Sequence, residues 1–313
     1  MRGTPPDLAT LRTGDKRAIA RALARAITLV ENGDPLAYAV VADLYPETGH
    51  AQAVGITGPP GVGKSTLTNT LIARARAGGE TVGVIAVDPS SRRTGGALLG
   101  DRARMATDPQ DRGVYVRSMA ARDRLGGLSD QTVAAMVLMR AIYDLVLIES
   151  VGIGQSEADI SFVADTVLLC VQPGSGDSLQ FMKAGVTELP DIVAVTKADM
   201  VDAARRTRAD VEGALTLYSE GEFRAPVVMV AAARGEGLDD LNTALAGHRR
   251  WLAEGKRLTV RRGAQEISWI EQAIRARFGS AGLEVARTQM SRDGGPFTRE
   301  RAIARELSAR LGT

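Results

Sequence analysis

The stretch Gly58-Pro59-Pro60-Gly61-Val62-Gly63-Lys64-Ser65-Thr66 constrains this chain more than any other. It fits the phosphate-loop pattern G-x-x-x-x-G-K-[ST] without a mismatch. Ala53-Val54-Gly55-Ile56-Thr57 before it reads as a short buried strand. Ser65 to Ala77 after it reads as a helix with Leu67, Leu71 and Ile72 on one side. Strand, glycine loop and helix are the arrangement that phosphate binding requires. Glycines let backbone N–H groups curl around a phosphate, and the helix N-terminus adds its dipole. Lys64 is placed to reach the β- and γ-phosphates, and the Ser65 hydroxyl to bind Mg²⁺. A chance match in a glycine-rich chain is the bland alternative, and both flanks argue against it.

The remaining pattern sets the fold class. Apolar runs at 81–87, 114–117, 144–148, 166–171, 192–196 and 227–230 alternate with helical stretches. Near-continuous apolar strands separated by helices predict an α/β fold with a mostly parallel central sheet flanked by helices. Residues 1–50 read as a helical extension, with Ile19, Leu23, Ile27 and Val30 at helical spacing. Asp34-Pro35 reads as an N-cap and first helical position. Residues 51–250 form the expected nucleotide domain and 251–313 a C-terminal helical extension. After about Gly237 the pattern turns helical again: the candidate helices are 238–252, which runs to the boundary, a stripe through Ile267, Ile270, Ile274 and Phe278, and 298–311 with Thr298 as N-cap. That extension either closes the core or serves as a dimerisation arm.

Composition narrows the class. The net charge of +2 makes no bulk electrostatic case for nucleic acid or membrane binding. No apolar run approaches the roughly 20 residues a membrane span needs, and the N-terminus lacks the apolar segment of a signal peptide. The single cysteine, Cys170, lies in the apolar run 166–171 and is expected to be inert core. It suits a reducing compartment, so a cytoplasmic protein is expected. Only five of the 39 basic residues are lysines: Lys16, Lys64, Lys183, Lys197 and Lys256. Against an arginine background, lysines mark positions where a compact ammonium is wanted.

In parallel sheets ligands bind beyond the carboxyl ends of the strands. Asp88, Glu149 and Lys197 fall there. Asp88 either binds Mg²⁺ through water or orients attacking water; the alternative is a turn-forming Asp-Pro. Residues 92–127 are rich in glycine and arginine, and in a nucleotide hydrolase such a loop would be a switch. Asp101 within it is a second candidate for the metal shell. No arginine finger can be picked out. Glu149 ends the fourth strand, where phosphate-loop enzymes carry a metal-holding carboxylate. Gly152, three residues on, would sense the γ-phosphate through its N–H. The acid here is Glu rather than the usual Asp, and Gln155 is a candidate for orienting water. Thr196-Lys197-Ala198-Asp199 has the Lys-x-Asp of guanine readers. Asp199 would accept from guanine N1–H and N2, donors that adenine lacks there, so discrimination is large. Thr196 stands where Asn is usual, which is expected to weaken a supporting hydrogen bond. Ala231, Ala232 and Ala233 would offer a backbone N–H to guanine O6.

Taken together, the segments 55–66, 87–91, 100–105, 149–157, 172–180 with Lys183, and Thr196–Asp199 resemble the MeaB/ArgK G-proteins, phosphate-loop GTPases of the G3E/SIMIBI class. The resemblance runs over about 15–250, and its block at 172–183 is the part that general GTPases lack. It implies a GTP/GDP-binding, Mg²⁺-dependent GTPase that chaperones an adenosylcobalamin-dependent acyl-CoA mutase, typically methylmalonyl-CoA mutase. It also implies a homodimer joined through the C-terminal extension, with Asp177 and Lys183 at a nucleotide or partner face. Thr196 and Ala231 depart from the family's usual Asn and Ser, and bear on base affinity more than base identity. Two other classes remain: a kinase using the same loop, and a metallochaperone GTPase for nickel enzymes. The latter commonly carry His- or Cys-rich tracts, whereas His50, His248 and Cys170 are far apart here.

Overall fold

A computed structural model describes residues 7–13, 15–32, 34–88, 110–120, 130–150, 160–174, 190–218, 223–290 and 294–311. The chain divides into two compact units. One comprises residues 52–129 and 143–258; the other gathers 1–51, 130–142 and 259–313.

The first unit is built on a seven-stranded sheet, every neighbouring pair parallel. The strands are β1 (Gln52–Thr57), β2 (Val82–Asp88), β3 (Val114–Ala120), β4 (Leu145–Glu149), β5 (Thr166–Val171), β6 (Ile192–Val195) and β7 (Val227–Met229). Their order is β3-β2-β4-β1-β5-β6-β7. This bears out the expected α/β architecture. β3 runs three residues further than the expected run 114–117, through Ser118 and Met119 to Ala120. It does so because β2 pairs with it residue for residue from Val82↔Val114 to Asp88↔Ala120. Ladder hydrogen bonds override the polar residues there.

Side chains alternate across a strand, so each strand feeds two cores. Leu168, Cys170, Ile192 and Ala194 join Leu67, Leu71, Ile72, Leu238 and Leu241 on one face. They pack under the helices Lys64–Ala77 and Leu238–Ala253. Leu169, Val171, Val193 and Val195 join Ala204 and Val211 of helix Val201–Tyr218 on the other. Away from the strands' carboxyl ends, His248 is fully buried. Its Nδ1 lies 2.9 Å from Thr166 Oγ1 and its Nε2 3.3 Å from Asp191 Oδ1, with Phe223 and Trp251 against the ring. The Thr166 contact thus fastens the His248 helix to β5, with Asp191 at the entry of β6 beside the ring.

The second unit is helical: Lys16–Glu31, Pro35–Leu44, Asp130–Ile142, part of Arg257–Ala286, and Pro296–Leu311. Asp15 caps Lys16–Glu31, its carboxylate accepting from Arg17 and Ala18 N–H at 2.8 and 2.9 Å. Pro35 takes the first helical position as its sequence predicts. Leu23, Ile27 and Val30 are fully buried. Two expectations shift. The stripe on Arg257–Ala286 is Trp269, Ile270, Ala273 and Ile274, whereas Ile267 is exposed. The Trp269 ring packs against Phe297 in a tilted arrangement, centroids 4.5 Å apart, which turns the buried face toward it. The last helix begins at Pro296, so Thr298 lies inside it rather than at its cap. Pro pre-sets the helical φ and needs no N–H partner at that position.

Cys170 is fully buried, and burial pushes its thiol up to about 12, with Lys64 pulling it down and Glu149 pushing it up by lesser amounts. A thiol protonated well above neutral pH is a poor nucleophile. A thiol-reactive disulfide reagent is expected to leave the native protein unmodified at pH 8 and to label one thiol per chain once denaturant is added; rapid native labelling would refute this placement.

Candidate functional site

Because all strands run the same way, the loops after β1, β4 and β6 lie along one edge of the sheet. β1 sits between β4 and β5, with Ile56 opposite Glu149 and Thr57 opposite Leu169. The phosphate loop therefore leaves the sheet with the β4 carboxylate on one side and the end of β5 on the other. Gly58, at φ +135°, crosses over β5 so closely that a Cβ would lie 2.2 Å from the Cys170 carbonyl oxygen. No other residue fits there. Helix Lys64–Ala77 is capped by Gly63 in the left-handed region, with no side-chain cap bond. A helix start without a side-chain acceptor leaves its N–H groups to an anion.

Lys64 is buried, and its Nζ donates to the carbonyls of Gly58 at 2.8 Å and Pro59 at 3.1 Å. Those bonds hold the ammonium against the loop backbone. Ser65 Oγ donates to Glu149 Oε1 at 2.7 Å. Glu149 is almost fully buried, and its Oε2 accepts from Thr68 Oγ1 at 3.0 Å. A carboxylate and a hydroxyl are the hard oxygen donors that Mg²⁺ takes, so this pair fits that ion. Beside it, Ser150 Oγ donates to Thr57 Oγ1 at 2.9 Å, closing the gap between the ends of β1 and β4.

The turn after β6 is joined to the loop. Thr196 Oγ1 lies 2.7 Å from the Val62 carbonyl and 3.0 Å from the Val171 carbonyl. Where Asn is usual, Thr196 thus supplies a hydroxyl contact to the loop carbonyl of Val62. Lys197 adopts a left-handed backbone at φ 51°, and its Nζ bonds Gln172 Oε1 at the end of β5. Asp199 is partly exposed, with Arg234 Nη2 3.8 Å from its Oδ2. After β7, the Ala231 N–H donates to the Glu236 carbonyl at 3.1 Å. In this conformation Ala231 is thus engaged, and Ala232 and Ala233 are the candidates for a base-directed N–H.

The structure therefore gathers Gly58 to Thr66 and Glu149 at one place, with Thr196 linking the Lys197–Asp199 turn to them. Asp88 closes β2, two residues beyond the Ala86↔Glu149 pair. Its side chain, together with Asp101, Gly152, Gln155, Asp177 and Lys183, lies outside the described residues. Thr68 and the Thr57–Ser150 pair are not singled out by sequence. The one signal for them is positional: Thr68 lies three residues after Ser65, hence on the same helix face.

Comparison with known proteins gives a consistent set. Residues 23–284 match the family model described as methylmalonyl Co-A mutase-associated GTPase MeaB. A relative from Pyrococcus abyssi named as a GTPase is 42% identical over 311 residues, covering 95% of this chain and 94% of the relative. The mouse mitochondrial methylmalonic aciduria type A homolog is 37% identical over 227 residues, covering 71% of this chain and 54% of its own length. Among solved structures, one described as a LAO/AO transport system kinase aligns at TM-score 0.67 and 25% identity, covering 98% of this chain and 96% of that one.

Thr196→Ala removes the tether between the turn after β6 and the phosphate loop and takes the hydroxyl away from the Val62 carbonyl. Losing such a bond costs about 1–2 kcal/mol, so GDP affinity measured by calorimetry should fall by about one order of magnitude, with Thr196→Ser close to the parent. An unchanged affinity in the alanine variant would show that the tether plays no part in binding.

Proposed function

This chain belongs to the MeaB family of GTPases, and on that premise we propose that it is a Mg²⁺-dependent G-protein chaperone of an adenosylcobalamin-dependent acyl-CoA mutase, of the methylmalonyl-CoA mutase type. The observation that carries the partner is the match of residues 23–284 to the mutase-associated family. The likeness to the mouse homolog over 71% of the chain supports it. The reading includes gating of cofactor loading and protection or reactivation of the mutase. Homodimerisation belongs to the same proposal: Val260 and Ile267, one heptad apart on helix Arg257–Ala286, are both exposed apolar side chains that a second copy would cover. Among the described residues, no helix is long and apolar enough to cross a membrane.

The reaction is GTP hydrolysis, and the residues divide it between them. The loop N–H groups and the Lys64 ammonium bind and orient the phosphates. Their positive charge stabilises the negative charge that builds on phosphate oxygens, which is most of what phosphoryl transfer needs. Ser65 and Glu149 would hold Mg²⁺, which would supply further neutralisation of phosphate charge when bound. Asp88 and Asp101 are proposed for the outer metal and water shell, Gly152 for the γ-phosphate, and Gln155, Asp177 and Lys183 for the switch and partner surfaces. Lys197 and Asp199 are proposed to read guanine, with a backbone N–H from the Ala231–Ala233 segment. Thr196 contacts the loop carbonyl at Val62, so occupancy of the base site and loop conformation are mechanically joined.

A second reading, phosphoryl transfer to an acceptor other than water, is favoured by the likeness to the solved structure described as a transport system kinase. The two separate in one measurement. GTP turnover by the full chain is expected to be slow alone and to rise on adding a purified methylmalonyl-CoA mutase, with inorganic phosphate as product. A mutase that leaves turnover unchanged would sink the chaperone reading, and label appearing on an added acceptor would favour the kinase.

Asp199→Asn exchanges the acceptor of two guanine donors for an amide. Discrimination of this kind is worth about 10⁴-fold or more where a site is built on hydrogen bonds. GTP affinity should collapse while XTP, whose C2 carries a carbonyl, gains; equal loss of both nucleotides would exclude Asp199 from base reading.

A further inference from the structure

The Glu149 carboxylate is held by two hydroxyls from one helix. Ser65 Oγ meets Oε1 at 2.7 Å and Thr68 Oγ1 meets Oε2 at 3.0 Å. These residues are one turn apart, so a single rigid element addresses both oxygens of the same carboxylate. Ser65 is half-buried at the loop rim, whereas Thr68 is fully buried and Glu149 nearly so.

Thr68 also lies 3.0 Å from the Lys64 carbonyl, the usual resting bond of a threonine inside a helix. A hydroxyl has one proton and these are two acceptors. The bond to the carboxylate is charge-assisted and so the stronger of the two. At a buried site water does not readily replace it.

The reason such an anchor matters lies in the acid itself. A glutamate has one more rotatable bond than the aspartate usual at this strand end, and its terminal torsion is broad. One hydroxyl at Oε1 leaves that torsion loosely determined. A second at Oε2 fixes the plane of the carboxylate. We propose that Thr68 is a positioning residue for Glu149, locking the carboxylate so that Oε1 and the Ser65 hydroxyl present a preformed pair to Mg²⁺. Thr68 would act through Glu149 rather than on the metal or nucleotide itself. The inference rests on reading this as a Mg²⁺–guanine nucleotide site.

The test is calorimetric titration of the full-length protein with GDP, in excess Mg²⁺ and in EDTA. The ratio of the two affinities measures the metal's contribution. Removing a group that orients a metal ligand typically costs about 10–100-fold in metal affinity. Thr68→Val is therefore expected to lower the ratio about tenfold while leaving affinity in EDTA near that of the parent, and Thr68→Ser is expected to restore it. Thr68→Ala carries the same expectation, so the proposal remains testable if the valine variant misfolds. An unchanged ratio in Thr68→Val and Thr68→Ala overturns the proposal and leaves the nucleotide site intact. Equal losses in both media, or a serine variant no better than valine, also overturn it, because Thr68 would then be packing alone. A parent protein whose GDP affinity is indifferent to Mg²⁺ removes the metal reading and this inference with it.

Discussion

β1 bonds to β4 on one side and β5 on the other, and the site depends on that placement. A phosphate loop on an edge strand would have one wall. Here it has two, both set by parallel register. Ile56, two residues before Gly58, stands opposite Glu149, so the carboxylate proposed for the metal is delivered by backbone pairing. On the other side the loop crosses the Cys170 carbonyl with no room for a Cβ. The close approach that makes Gly58 obligatory also brings Val62 within reach of Thr196 on the far side of β5.

Burying a carboxylate and an ammonium close together is costly unless each is hydrogen-bonded. This site meets the cost with short local partners. Lys64 rests on two loop carbonyls, and Glu149 on two hydroxyls of the helix that Lys64 begins. The helix is fastened at its other end too. Arg76 grips Asp111 with paired bonds of 2.9 and 3.0 Å and donates to the Glu80 carbonyl at 2.6 Å. Asp111 raises the Arg76 pKa further, chiefly through those hydrogen bonds. The Arg76 guanidinium lies over Gly113, where a Cβ would come within 2.1 Å of it. A helix held at both ends presents its first-turn side chains at a defined place. That definition is what positioning and charge stabilisation require.

Much of this was legible in the chain. The apolar runs located every strand of the sheet, because strands buried on both faces leave a continuous hydrophobic signature. The glycine-lysine-serine pattern located the phosphate loop, because few residue types tolerate its backbone. Lys197-x-Asp199 pointed to guanine through the donors that only that base offers. Less was legible where partners are distant in sequence. Ser118 to Ala120 continue β3 beyond the expected 114–117 because β2 pairs there. Ile267 belongs to the expected stripe by spacing, yet Trp269 is buried in its place, its ring packed against Phe297, 28 positions along.

What the sequence specified by itself was the chemistry to look for: a phosphate loop, an acid at the end of β4 and a turn of the kind proposed to read guanine, each encoded within a few adjacent residues. Only the tertiary structure decided how these act on one another. Thr196 looked like a loss when compared with asparagine, and becomes a tether when Val62 is seen 2.7 Å away. Thr68 looked like an ordinary helix residue, and acquires a role because β4 brings Glu149 to it across 81 positions. Local pattern specifies backbone conformation and residue type. Hydrogen bonds between segments far apart in the chain depend on sheet order and register, and those are set only when the strands pair.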